Sequence, residues 1–115
     1  MENAQSVGLI YMAIHDLGKV RKTTGIIGLM FAKKIKIPHY IPLPSFDKNI
    51  HTSFMSLTID IIFIDDMNIV LDKVTLAPWK NHTPLNKKAA VGAIEDYEGK
   101  FKNINIGDHV TFTKV

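Results

Sequence analysis

The chain has 115 residues, 46% hydrophobic and 22% charged, a balance that supports one ordered globular domain with its own core and excludes a disordered chain. With no cysteine, disulfides, zinc-thiolate centres and thiol catalysis by this chain are excluded as well. The formal net charge is +3, yet 13 of the 14 cations are lysines and Arg21 is the single arginine. They come in short pairs (Lys33-Lys34, Lys87-Lys88), which describes a solvated surface better than a nucleic-acid stripe.

Residues 1–7 read as a loosely ordered N-terminus without a basic segment leading into an apolar one. The longest nearly apolar run, residues 25–32, is far too short to span a bilayer. These features predict a cytoplasmic protein. Leu9 to Ile14 is almost continuously apolar and His15-Asp16-Leu17-Gly18 supplies turn chemistry, so a first strand and a reversal are expected there. A short second strand follows over Lys19 to Lys22. From Thr23 or Thr24 the spacing of Ile26, Ile27, Met30 and Phe31 predicts a short helix ending at Lys33 and Lys34, against the preference of Gly25 and Gly28.

Prolines 38, 42 and 44 forbid a helix between Ile35 and Pro44 and predict an extended edge segment. After a polar loop, Ile50 to Met55 re-enters the fold. Ile59 to Ile64, rich in β-branched residues and without polar alternation, reads as a central strand buried on both faces. Asp65-Asp66-Met67-Asn68 predicts a hairpin loop that returns Ile69 to Val74 as the partner strand. A Leu76-Ala77-Pro78-Trp79 corner follows. Lys88 to Ile94 can serve helix or strand, and strand is preferred. Ile104 and Ile106 lead to a turn at Gly107-Asp108 and a terminal strand in which Val110, Phe112 and Lys114 alternate with Thr111 and Thr113.

Four segments occur in a characteristic order: G-L-M at Gly28 to Met30, I-H-T-S-F-M with I-D-I-I-F-I-D between Ile50 and Asp65, L-A-P-W at Leu76 to Trp79, and I-G-D at Ile106 to Asp108. Over residues 8–115 the chain resembles the family called domain of unknown function 192, also named uncharacterised protein family 0127. The resemblance implies a small, mainly β domain of barrel or sandwich type with little helix, in a bacterial and archaeal family that is often exported and whose biochemical function is unassigned. The chain departs from the family pattern at Phe31-Ala32, where a basic residue is common, and at Thr58, where proline is common. Glu95 and Gly99 match a family E-x-x-x-G element, with a shorter run to Gly107.

Two residues carry candidate chemistry. Asp60 shares a strand face with Ile62 and Ile64, where a desolvated carboxyl could act as general acid or base, or could accept hydrogen bonds from a neighbour such as Thr58. His51 could be a general base, a hydrogen-bonding group for a ligand or a metal ligand. No second histidine stands at metal-binding spacing, so no metal is expected, and an imidazole bonded to a loop carbonyl is the plainer account. Ser53, His51 and Asp60 can be assembled into a triad on paper, but no nucleophile elbow or oxyanion-hole signature accompanies them.

Trp79 after Pro78 offers either an exposed platform or a plug for a barrel end. Asp65, Asp66 and Asn68 lack the rest of a calcium loop, and Asn81-His82-Thr83 fits the glycosylation pattern formally but runs into Pro84.

The sequence therefore predicts a single domain over residues 1–115, a small, mostly antiparallel β-barrel or β-sandwich built around the Ile59–Val74 hairpin, with one short helix. The expected role is a non-catalytic module binding a small molecule or protein partner where Ile50 to Met55 meets Pro78-Trp79. His51 and Thr52 would give polar contacts, and Met55, Pro78 and Trp79 apolar ones. The alternatives are a small hydrolase using His51 and Asp60, and weak nucleic-acid binding through surface lysines. No cofactor and no membrane partner are expected, and the assembly is expected to be a monomer or small homo-oligomer.

Overall fold

The computed structural model describes residues 13–23 and 29–115. In them the chain forms eight strands: β1 (Ile14–Lys22), β2 (His39–Pro42), β3 (Ile50–His51), β4 (Ile59–Ile64), β5 (Val70–Leu76), β6 (Asn81–His82), β7 (Gly92–Tyr97) and β8 (His109–Lys114). Six of them make one mixed sheet in the order β5-β4-β7-β2-β1-β8, and β3 pairs with β6 in a separate two-stranded ribbon. β1 runs parallel to both β2 and β8, while the other pairs are antiparallel. The sheet curls into a half-barrel. Its two edge strands approach at one end, where Val70 N–H donates to Asp108 O (2.9 Å) and Gly107 N–H to Val70 O (2.8 Å).

All six residues of β4 are buried, as its unbroken apolar run predicts, because each of its faces supports a different cluster. Ile62 and Ile64 pack with Val20, Ile94, Phe101 and Val110 on one face. Ile59, Ile61 and Phe63 pack on the other with Ile50, Met55 and Leu76, so the β3–β6 ribbon covers this second face. The hairpin to β5 turns at Asp65–Asn68. Asp65 Oδ1 accepts from the N–H groups of Met67 and Ile69, both at 2.9 Å, and Asn68 takes the left-handed conformation at φ 62°.

Several sequence expectations need correction. His15 to Gly18 is not a reversal. β1 continues through it with a bulge between Asp16 and Lys19, and Gly18 sits at φ 70° with its N–H on Asp16 Oδ1 (2.9 Å), so the turn chemistry is spent on a kink within one strand. The strand expected over Leu9 to Ile14 lies mostly outside the described residues. So does the first half of the short helix predicted near Thr24 to Lys34; in its described half, Leu29 to Lys34 forms turns and bends instead.

β2 is not an edge. It lies between β7 and β1, which is possible because its prolines fall where the β1 ladder is absent: pairing with β1 covers only His39 and Tyr40, and Pro38 needs only its carbonyl, which accepts from Arg21 N–H (2.8 Å). The strand expected at Lys88 to Ile94 begins at Gly92 and runs on to Tyr97. Ala89 and Ala90 instead close turns by donating to Asn86 O and Lys87 O.

Candidate functional site

Three tight turns meet beside the β3–β6 ribbon, and they share one unusual feature. In the turn Leu29–Ala32, closed by Ala32 N–H on Leu29 O (2.9 Å), Phe31 is the third residue and has φ 65°. In the turn Thr52–Met55, closed by Met55 N–H on Thr52 O (3.1 Å), Phe54 holds the same place at φ 63°. In the corner Ala77–Lys80, Trp79 again stands third, after Pro78, at φ 63°. This is the position where turns with a left-handed third residue call for glycine, and bulky residues there are genuine outliers.

The turns are tied together through Thr52, which is fully buried. Its hydroxyl is inserted into the Ala77–Lys80 corner, donating to Ala77 O (2.6 Å) and accepting from Lys80 N–H (2.9 Å). Its N–H donates to Lys80 O (2.8 Å), and its carbonyl accepts from Trp79 N–H (3.0 Å). Phe31 N–H donates to Phe54 O (3.1 Å) and Ser56 Oγ to Ala32 O (3.0 Å), which fastens the first turn to the second. Three rings are thereby held in a row: Phe31 to Phe54 at 5.7 Å between centroids and Phe54 to Trp79 at 4.6 Å, tilted by 42° and 60°. They remain 69%, 51% and 62% exposed.

The residues singled out from the sequence divide around this platform. Trp79 and Pro78 belong to it, and Thr52 is its brace. Met55 is a core residue packed with Ile59 and Ile61. His51 is exposed on the ribbon, paired in register with Asn81. Asp60 is 4% exposed and belongs to the opposite face of the sheet. There its Oδ1 accepts from Thr75 Oγ1 (2.7 Å), and its Oδ2 from the N–H groups of Gly99 and Phe101, each at 3.0 Å. His51 and Asp60 are thus not brought together, and Asp60 fastens the turns between β7 and β8 to the sheet. Phe31 and Phe54 were missed by sequence reasoning because no glycine or asparagine marks their left-handed positions.

Two buried carboxylates pair with histidines. Asp72 accepts from His82 Nε2 (2.8 Å) and Leu85 N–H (3.0 Å). Asp108 makes the same contact with His15 Nε2 (2.8 Å) and accepts from Asn105 N–H (2.9 Å). Burial pushes both carboxyls up, but these hydrogen bonds and the facing imidazoles outweigh it and hold both below the usual carboxylate range. Glu95 stands differently. It is buried beside Ile61 and opposite His39 in the β2–β7 ladder, it makes no side-chain hydrogen bond among the described residues, and burial pushes its carboxyl up to about 7.

A cleft of about 510 Å³ opens elsewhere, between Leu17, Pro38, Asp96 and Phe101, with Lys19, Lys36 and Lys100 among its lining. None of the residues singled out from the sequence as site candidates lines it. Among the described residues no three metal-ligating side chains cluster, and no helix is long and apolar enough to cross a membrane.

Comparison with known proteins agrees with the motif order. The chain is 35% identical over 101 residues to a UPF0127 protein of Pyrococcus abyssi, covering 81% of this chain and 85% of that one. It is 33% identical over 91 residues to a UPF0127 protein of Thermococcus kodakarensis, covering 75% of this chain and 57% of that longer relative. A UPF0127 protein of Pyrococcus furiosus is 29% identical over 97 residues, covering 77% of this chain and 78% of its own length. No solved structure matches. The DUF192 family profile, described as "Uncharacterized ACR", matches residues 20–112, and with these relatives it shows that the chain belongs to the DUF192, or UPF0127, family of uncharacterised function.

Proposed function

We propose that the protein is a non-catalytic binding module and that the row Phe31, Phe54, Trp79 is its recognition surface. One observation carries this reading: three adjacent turns each hold a bulky ring in a backbone conformation that disfavours it, and each ring still faces solvent instead of filling a core. Strain that yields no burial points to a use outside the fold. The hydrogen bonds through Thr52 fix the rings before a ligand arrives, which lowers the ordering cost of binding. His51 and Lys80 lie on the same segments and supply polar contacts at the margin. The hydrolase reading lacks a comparable motive, because Asp60 spends its carboxylate on three internal donors on the far face.

The dye anilinonaphthalene sulfonate, an apolar body with one anionic group, tests the surface directly. The folded protein is expected to bind it saturably, with energy transfer from Trp79, the one tryptophan of the chain. The double variant Phe31→Ser, Phe54→Ser is expected to lose that binding while keeping its circular dichroism. Folded protein that ignores the dye, or a double variant that binds it equally well, would overturn the reading.

A further inference from the structure

We infer that the Phe31–Phe54–Trp79 platform docks onto the surface of an anionic lipid bilayer. This rests on the reading of the platform as a binding surface and specifies its partner. The charge on the segments that carry the rings is one-sided. The segments that carry them, residues 29–34, 51–56 and 77–82, contain Lys33, Lys34 and Lys80, all exposed, and not one Asp or Glu. The Asp72 carboxylate that reaches the ribbon is buried against His82, so it does not offset these lysines at the surface. Aromatic rings flanked by lysines suit the headgroup level of a membrane: the rings enter the boundary with the acyl chains while the ammonium groups stay among anionic headgroups.

The geometry of the rings separates this partner from a single-stranded nucleic acid, which would also welcome aromatic and basic groups. Base stacking needs free ring faces. Here Phe54 is packed between its neighbours at 5.7 and 4.6 Å with tilts of 42° and 60°, so the rings do not form the parallel platform on which successive bases stack and instead offer one combined apolar surface. Entry into a lipid interface requires exposed area and not free faces, and 51–69% of each ring is available. Three rings without a long apolar segment give reversible attachment, with the lysines as the second contribution that makes it measurable.

The test is co-sedimentation of the full chain with phosphatidylcholine vesicles and with vesicles of mixed phosphatidylcholine and phosphatidylglycerol, with Trp79 emission read in parallel. Binding is expected only with the anionic vesicles. It should come with a blue shift of Trp79 emission, weaken as salt is raised, and be lost in Phe31→Ser, Phe54→Ser. In Lys33→Glu, Lys34→Glu, which leaves the rings untouched, partitioning is expected to fall about tenfold or more. Protein that binds the dye but not anionic vesicles overturns the lipid inference and leaves the binding surface standing. Equal binding to both vesicle types, vesicle binding that survives loss of the rings, or ring-dependent preference for a single-stranded polynucleotide each overturns it as well.

Discussion

A phenyl or indole side chain held at φ near +63° costs about 1–2 kcal/mol relative to an ordinary conformation. Phe31, Phe54 and Trp79 carry that cost while burying less than half of their surface. Glycine at such a site relieves the strain and in return frees the unfolded chain, so the two effects nearly cancel. For Phe54→Gly we therefore expect urea unfolding to report stability unchanged within about 1 kcal/mol, whereas dye binding falls away. A loss of about 3 kcal/mol or more would mark Phe54 as a packing residue. Thr52 should behave in the opposite way. Thr52→Val keeps the shape but leaves Ala77 O and Lys80 N–H without the hydroxyl that links them, and the same measurement should show a loss of about 1–3 kcal/mol.

Among the elements, β4 organises the fold because it is buried on both faces and its only charged residue is fully used. Asp60 reaches across to the turns that follow β7 and accepts the N–H groups of Gly99 and Phe101. From the neighbouring β5, Lys73 Nζ donates to Phe101 O (3.2 Å) and Ile104 O (2.6 Å). The segment that inserts Phe101 and Ile104 into the core is thereby held at both ends by side chains of the β4–β5 hairpin. Asp60→Ala strands three donors, so a loss of about 2–4 kcal/mol is expected, together with faster amide exchange at Gly99 and Phe101. Gly92, where β7 begins, has a different constraint. A Cβ there would lie 2.5 Å from the Tyr40 ring, so the ring of one strand rests directly on the backbone of the next.

For the molecule as a whole, pH dependence is set by buried groups displaced in opposite directions. Glu95 is raised to about 7 from an ordinary value of 4.5, so its contribution to stability is fully present below about pH 4.5 and is lost as pH rises through about 7. The size of that loss is on the order of 3 kcal/mol. Asp72 and Asp108 are lowered, so their contribution is present above the ordinary carboxylate value of 3.8 and disappears as pH falls through their folded values. Asp96, also raised by burial, adds to the fall, while His39, lowered by burial and by Arg21, favours folding as pH rises toward 6.5 and offsets part of it. The displacement of Glu95 is the large one, so a net decline from pH 4.5 to 7 is expected, with a separate collapse in strong acid. Glu95→Gln is expected to flatten the first slope and raise stability at pH 8, leaving the acid limb in place. Denaturant titrations at pH 3, 4.5, 6 and 8 resolve the two, and an unchanged slope in the variant would remove Glu95 as its source.

The sequence by itself determined the features that depend on neighbours along the chain. The apolar run of β4, the Asp65–Asn68 hairpin and the alternation of β8 are all local patterns, and the four ordered motifs were enough to indicate the family. Only the tertiary structure decided what depends on distant partners. Asp60 could be read as a catalytic carboxyl until Thr75, Gly99 and Phe101 were seen to occupy it, and β2 looked like an edge until β1 and β7 were found on either side. The platform is the clearest case. Its rings stand 23 and 25 residues apart in the chain, no glycine announces their turns, and they become one surface only because hydrogen bonds join the turns: those of Thr52 to the Ala77–Lys80 corner, and those of Phe31 N–H and Ser56 Oγ between the first turn and the second.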